Sequence, residues 1–330
     1  MNNIEDLLPD YINILNQEKL AKYLISKNSP ALFDKYDLTK NLWKIHNDLL
    51  KKINMSDYEP EISLLDLKIE LASRIFKKCN LCENKCNIDR RITEGKCGVK
   101  QSKIASEFLH IGEERTLIPS HTIFFSGCTF NCVFCQNWDI SQKKCGVYIK
   151  PSKLVDIIDS RKKQGSRNVN WVGGEPTPNI YYIFKTLKKM NFNLPQIWNS
   201  NMYCSLDTIN LLNGVFDVYL TDFKYGNNKC AKKLSQINKY FEIVSRNHKI
   251  AYENGEIILR HLVMPNHLKC CSKPILDWVI KNIPNCVVNI MAQYRPEYKA
   301  FKFKDISRSI TMNEFSQVKN YADEIGINQI

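Results

Sequence analysis

The 330-residue chain has no apolar run of the roughly 20 residues that a membrane-spanning helix needs. Its opening stretch, MNNIEDLLPDYINIL, carries acids early and lacks the basic n-region of a secretory leader, so the cytoplasm is the expected compartment and no membrane association is expected. No internal repeat, low-complexity tract or long linker is visible, which sets aside repeat arrays and tethered domains. Basic residues are plentiful but form no long block. Lys and Arg number 47 against 34 acids, a net charge of +13, yet the lysines are scattered as pairs such as Lys77-Lys78 and Lys188-Lys189. A dispersed excess of this kind suits a solvated surface, an anionic cofactor or an acidic partner better than a nucleic acid.

With 44% hydrophobic and 25% charged residues, the chain has the composition of a globular protein with a real core. Thirteen cysteines are many for a reducing compartment. Without a leader, close spacing reads as metal binding rather than disulfides. Seven fall into two tight groups, at 79–97 and 128–135. The other six (Cys145, Cys204, Cys230, Cys270, Cys271 and Cys286) share no spacing and are expected to be ordinary buried or surface thiols.

The periodicity divides the chain into a helical cap over 1–78, a cysteine module over 79–100 and a mixed domain over 101–330. In the first part, Leu8, Tyr11, Ile12 and Leu15 mark one apolar helical face, Leu42, Ile45, His46 and Leu49 a second, and Leu64, Leu67, Leu71 and Ile75 a third. No catalytic constellation stands out there, and His46 reads as a core residue. Beyond residue 120, six strand candidates (121–126, 168–172, 195–199, 217–222, 257–263 and 286–291) alternate with helical segments near 151–165, 180–187, 206–212, 230–241, 273–280 and 312–323. Strand–helix alternation implies parallel strands joined by right-handed crossovers. Six such units give an α/β fold, either a doubly wound sheet or a partial (βα)6 barrel, and in a barrel function gathers at the C-terminal strand ends.

The segment FFSGCTFNCVFCQN puts Cys128, Cys132 and Cys135 on one loop at spacings of four and three. Soft thiolates suit iron–sulfur or zinc sites, but a structural zinc wants four ligands. Three thiolates on a 4Fe–4S cluster leave one iron open to an exogenous chelator, a place that the amino and carboxylate groups of S-adenosylmethionine (SAM) can fill. The upstream group, Cys79, Cys82, Cys86 and Cys97, offers four thiolates flanked by Gly95 and Gly98 and so closes a site completely: zinc or an auxiliary Fe–S cluster. Arg90-Arg91, between these ligands, reads as a solvated pair or a contact for an acidic partner or nucleic acid.

The Cys128 loop resembles the radical SAM superfamily motif. That resemblance implies that Phe134, just before the third cysteine, lies against the adenine, and that Gly173, Gly174 and Glu175 of NWVGGEPTP hold the SAM amino group. The segments WNSNMY, YLTDFKYG, RHLVMP and MAQYRP are similar to the branch related to pyruvate formate-lyase activating enzymes, over about residues 79–300. This implies SAM-site roles for Ser200, Asn201, Asp222, Lys224 and Arg260. Asn199 stands where those enzymes have an acid, and Tyr294 near a SAM-contacting histidine. The implied activity is reductive SAM cleavage to a 5′-deoxyadenosyl radical that abstracts hydrogen, with flavodoxin or ferredoxin as reductant and a glycyl radical enzyme as protein substrate. Two alternatives are a radical SAM enzyme modifying another protein or a small molecule, and a non-catalytic metal-binding protein associated with nucleic acid.

Overall fold

The computed structural model describes residues 7–56 and 58–330. Four helices come first: α1 (Pro9–Leu15), α2 (Lys22–Asn28), α3 (Thr39–Lys51) and α4 (Leu64–Lys77). Pro9 starts α1 where a missing N–H costs nothing, and a Ser63–Asp66 capping box starts α4. The α4 stripe Leu64, Leu67, Leu71 and Ile75 is buried as its spacing requires. His46 of α3 is fully buried, with Nε2 2.8 Å from Lys68 Nζ. Burial, then the neighbouring Lys68, pushes His46 down to about 3. A neutral imidazole can therefore accept from the lysine, and Leu211 O and Asn213 O accept its remaining protons.

The rest is one sheet with helices between its strands: β1 (Ile104–His110), β2 (Ser120–Phe125), α5 (Trp138–Ser141), α6 (Pro151–Lys163), β3 (Asn168–Gly173), α7 (Ile180–Leu187), β4 (Gln196–Ser200), α8 (Leu206–Leu212), β5 (Val218–Asp222), α9 (Asn228–Ser235), α10 (Tyr240–Asn254), β6 (Glu256–Leu262), α11 (Lys273–Asn282), β7 (Val287–Met291), α12 (Met312–Glu324) and β8 (Asn328–Gln329). Spatial order follows chain order from β1 to β8. The six expected strands are β2 to β7, all parallel. The antiparallel β1 and the two-residue parallel β8 extend the sheet at its edges.

The single helix expected over 230–241 is two. Gln236 (φ 60°) ends α9 and Lys239 (φ 47°) precedes α10, so a left-handed turn divides them.

The sheet curls around its own inner face. Ile197 of β4, Val218 and Leu220 of β5, Ile258 of β6 and Val287 of β7 share an apolar cluster with Leu117, Leu8 and Tyr11. The first helix therefore does not cap the outside; it plugs the base of the partial barrel. Glu256 Oε1 and Oε2 accept from the Asp10 and Tyr11 amides at 2.6 and 2.8 Å, and Asn168 Nδ2 donates to the Tyr11 hydroxyl at 2.9 Å. Outward side chains such as Phe125, Trp171, Trp198 and Tyr219 join the larger core beneath the helices.

Candidate active site

The C-terminal strand ends surround a cavity of about 500 Å³. Its wall includes Cys128, Cys132, Phe134 and Cys135 after β2, Gly173, Gly174 and Glu175 after β3, Ser200 and Asn201 after β4, Asp222 and Lys224 after β5, and Arg260 on β6. The loop carrying the three cysteines folds so that each sulfur meets a polar group. Phe130 N donates to Cys128 Sγ at 3.4 Å, and Asn201 Nδ2 lies 3.9 Å from the same sulfur. Ser235 Oγ donates to Cys132 Sγ at 2.9 Å, and Ser141 Oγ stands 3.2 Å from Cys135 Sγ. Burial raises the Cys128 thiol well above its ordinary value and pushes Cys132 up to about 12. These groups thus favour the protonated form until a metal takes the sulfur, since metal coordination requires the thiolate.

The glycines of the next loop serve chain packing. Gly173 has φ +121°, and a Cβ there would lie 2.0 Å from Phe125 N; a Cβ at Gly174 would lie 2.0 Å from Gly127 O. Only bare backbone lets the β3 loop sit against the cysteine loop, with Gly174 N donating to Phe125 O at 2.8 Å. Glu175 is buried. Its Oε1 accepts from Thr177 Oγ1 at 2.5 Å, Thr177 N at 3.2 Å and Ser200 Oγ at 2.6 Å, while Oε2 accepts from Asn201 N at 3.0 Å. Ser200 and Asn201 therefore hold this carboxylate in place. Burial raises the Glu175 carboxyl despite these bonds, so a cation in the cavity would find a group that gains by its arrival.

Phe134 is packed edge-on between Tyr225 and Tyr294, with ring centroids 6.4 and 5.8 Å away. Asp222 and Lys224 form an ion pair on the cavity wall. Burial opposes the Lys224 charge, but the Asp222 carboxylate outweighs it and holds the ammonium above its ordinary value. The donor set fits both implied groups: three soft sulfurs on one wall, and a carboxylate and an ion pair beside them.

A family model described as the radical SAM superfamily matches residues 122–279. The chain belongs to the radical SAM superfamily. This radical SAM chain is 46% identical over 334 residues to the uncharacterized protein MJ0674 of Methanocaldococcus jannaschii, covering 97% of this chain and 98% of that one. Among solved structures, methylornithine synthase (PylB) aligns over 97% of this chain and 77% of its own, at 13% identity and a TM-score of 0.48. Streptococcus suis SuiB bound to S-adenosylmethionine aligns over 62% of this chain, at 13% identity and a TM-score of 0.46. The aligned part is 47% of SuiB, about half its length.

The radical SAM cavity also contains two acids that the sequence reading missed, Glu113 and Glu114. Both are ion-paired with Arg260, whose side chain is 15% exposed on the cavity wall. Arg260 Nε donates to Glu114 Oε1 at 2.8 Å, Nη2 donates to Glu114 Oε2 at 2.6 Å, and Nη2 also pairs with Glu113. Asn289 Nδ2 donates to Glu114 Oε1 and Asn170 Nδ2 to Glu113 Oε1, at 2.8 and 3.0 Å. Both acids precede β2 in an unremarkable loop, and no local signal marks them.

The upstream cysteine module lies directly behind the cysteine loop. Cys128 N donates to Cys97 O at 3.2 Å, and Asn84 Nδ2 to Thr129 O at 3.0 Å. A Cβ on Gly95 would lie 3.2 Å from Cys86 Sγ and 3.8 Å from Cys97 Sγ. Arg90 is not solvated, as its pairing with Arg91 suggested. It is 1% exposed, with Nη1 3.6 Å from Cys79 Sγ and its guanidinium over the Phe76 ring, and Nε and Nη2 find no partner among the described residues. Arg91 alone is exposed, paired with Asp89. Of the six cysteines expected to be unrelated, Cys230, Cys270 and Cys271 converge. No helix among the described residues is long and apolar enough to cross a membrane.

Proposed function

We propose that this chain is an enzyme that binds a 4Fe–4S cluster through Cys128, Cys132 and Cys135, with SAM in the adjoining cavity, and abstracts hydrogen from a substrate. One observation carries the reading: three sulfurs from a single loop line a cavity whose wall includes no other cysteine. When bound, the cluster and SAM supply one-electron cleavage of a C–S bond and so a 5′-deoxyadenosyl radical. The protein's part is positional. Ser200, Asn201 and Thr177 fix Glu175 to face an ammonium. Phe134 offers an apolar surface to a base, and Asp222 and Lys224 offer one charge of each sign to the amino-acid end. Anaerobic reconstitution with iron and sulfide, then dithionite and SAM, should release 5′-deoxyadenosine. A reconstituted protein that holds its cluster and releases none would overturn the assignment.

The activating-enzyme reading makes the substrate a glycine on a partner protein. It rests on the Asp222-x-Lys224 and neighbouring segments, and on a net charge of +13 that suits acidic partners such as flavodoxin or ferredoxin. A glycyl radical signal on a co-expressed candidate partner tests it. The small-molecule reading draws on the Arg260–Glu113–Glu114 group at the cavity, which offers fixed charges to a polar ligand. Cys79, Cys82, Cys86 and Cys97 are assigned as a second metal site. Four thiolates around one metal centre carry net negative charge, and the buried, under-partnered Arg90 cation supplies the counter-charge that such a group needs. Zinc and an auxiliary Fe–S cluster both satisfy that charge; metal analysis of the anaerobically isolated protein distinguishes them.

A further inference from the structure

Cys230 lies 40 residues before the adjacent pair Cys270-Cys271, yet the three present their sulfurs within 4.8 Å of one another. Cys230 Sγ is 3.9 Å from Cys270 Sγ, and Cys270 Sγ is 4.0 Å from Cys271 Sγ. Two features of the chain make this possible. Gly226 lets the loop after β5 press against the other segment, for a Cβ there would lie 2.7 Å from Cys271 O and 2.8 Å from Cys270 O. Residues Leu268–Ser272 form a π-helical turn, a distortion frequent at functional sites. In a regular α-helix, adjacent residues point about 100° apart, whereas here both neighbouring thiols reach the same point.

The surroundings suit bound thiolates. Asn227 Nδ2 lies 3.4 Å from Cys230 Sγ and 4.0 Å from Cys271 Sγ, and donates to Cys270 O at 2.6 Å. The His267 ring at the same turn is buried. Its Nδ1 donates to Pro265 O at 2.8 Å. Its Nε2 faces Asp305 Oδ2 at 3.7 Å, so the ring is engaged on both sides and braces the turn.

We propose that Cys230, Cys270 and Cys271 form a mononuclear zinc site separate from both other cysteine groups, with a water completing the tetrahedron, since Cys230 and Cys270 are only half-buried. The spacing decides the metal class. Four donors around zinc at about 2.3 Å place sulfurs about 3.8 Å apart, close to the distances present here. A cubane cluster holds its cysteine sulfurs wider than this, and a disulfide requires about 2.05 Å. The site joins the start of α9 to the turn before α11. At the other end of α9, Ser235 donates to Cys132, so the zinc anchors the helix that supports one of the radical-site sulfurs.

Metal content of the full-length protein, purified without oxygen, tests this. Cys230→Ser/Cys270→Ser should lower zinc by one equivalent per chain and leave iron unchanged. The same zinc content in parent and variant would refute the site, as would loss of iron instead. Should that variant fail to fold, alkylation of the parent protein with mass mapping answers the same question. Cys230 and Cys270 should react only after a zinc chelator is added. Equal modification with and without chelator, or a Cys230–Cys270 disulfide in the untreated protein, would overturn the proposal.

Discussion

Replacing Arg260 by methionine would keep most of the side-chain volume at the cavity wall while stranding Glu113 and Glu114. Arg260 bridges both acids, and their side chains are 6% and 1% exposed. Removing one partner of a buried ion pair typically costs about 3–5 kcal/mol, because the remaining charge stays desolvated. The Glu113 titration gives a second estimate. Burial alone would raise this carboxyl, but His110 and Arg260 more than offset it and hold it at about 2. A depression of that size from the ordinary glutamate value of 4.5 corresponds to about 3 kcal/mol at neutral pH. In the parent, this contribution is present above the unfolded carboxylate range and lost as pH falls through about 2. In Arg260→Met only the His110 share of it remains, and the stranded carboxylates shift toward the protonated form. The variant should therefore melt about 4–7 °C lower than the parent at pH 8, with a smaller deficit at pH 5. Adding Glu113→Gln and Glu114→Gln should recover most of the loss. Thermal unfolding followed by circular dichroism reads all three proteins. A deficit under about 1 kcal/mol, or one that does not narrow on acidification, would refute the account.

Cys132→Ala should abolish 5′-deoxyadenosine release and bleach the reconstituted cluster spectrum while the fold persists; full release would remove Cys132 from the site. Glu175→Gln, which keeps the shape but loses the charge, should weaken SAM binding about 10- to 100-fold, or about 1.4–2.7 kcal/mol, as measured by calorimetry on the reconstituted protein; unchanged affinity would mean that Glu175 only braces the loops. Gly174→Ala should impair cluster retention, because its Cβ meets Gly127 O, and iron counts equal to the parent's would contradict this. Burial of Arg90 against a metal centre predicts that Arg90→Met lowers metal occupancy of the upstream module, checked by metal analysis; an unchanged content would show that the cation is not needed there.

The parallel strands were legible because each is a short, largely apolar run between helical stripes. The edges were not. In β1, Glu107 interrupts the alternation, and its place is explained only by Arg161 and His121, which both reach it. The strand β8 has two residues and no pattern to read. The site followed the same division. Cys128, Cys132 and Cys135 share one loop, so their spacing announces them, and Glu175 follows a strand at a recognisable Gly-Gly. Glu113, Glu114, Arg90 and the Cys230 group acquire meaning only through neighbours from other parts of the chain. What the spacing did not carry is the packing at Gly173 and Gly174, where bare backbone also makes room for other backbone.

Seating α1 in the base of the barrel sets an order of events. Leu8 and Tyr11 emerge early in synthesis, while Ile197, Val218, Ile258 and Val287, which surround them, come nearly two hundred residues or more later. The helix must wait, and its partners enclose a hollow until it arrives. Closing so long a loop adds little to the final stability but slows the search. The amides of α1 should then exchange hydrogen with the same protection as the central strands, since neither can open without the other, and faster exchange from α1 alone would show that the barrel holds without its stopper.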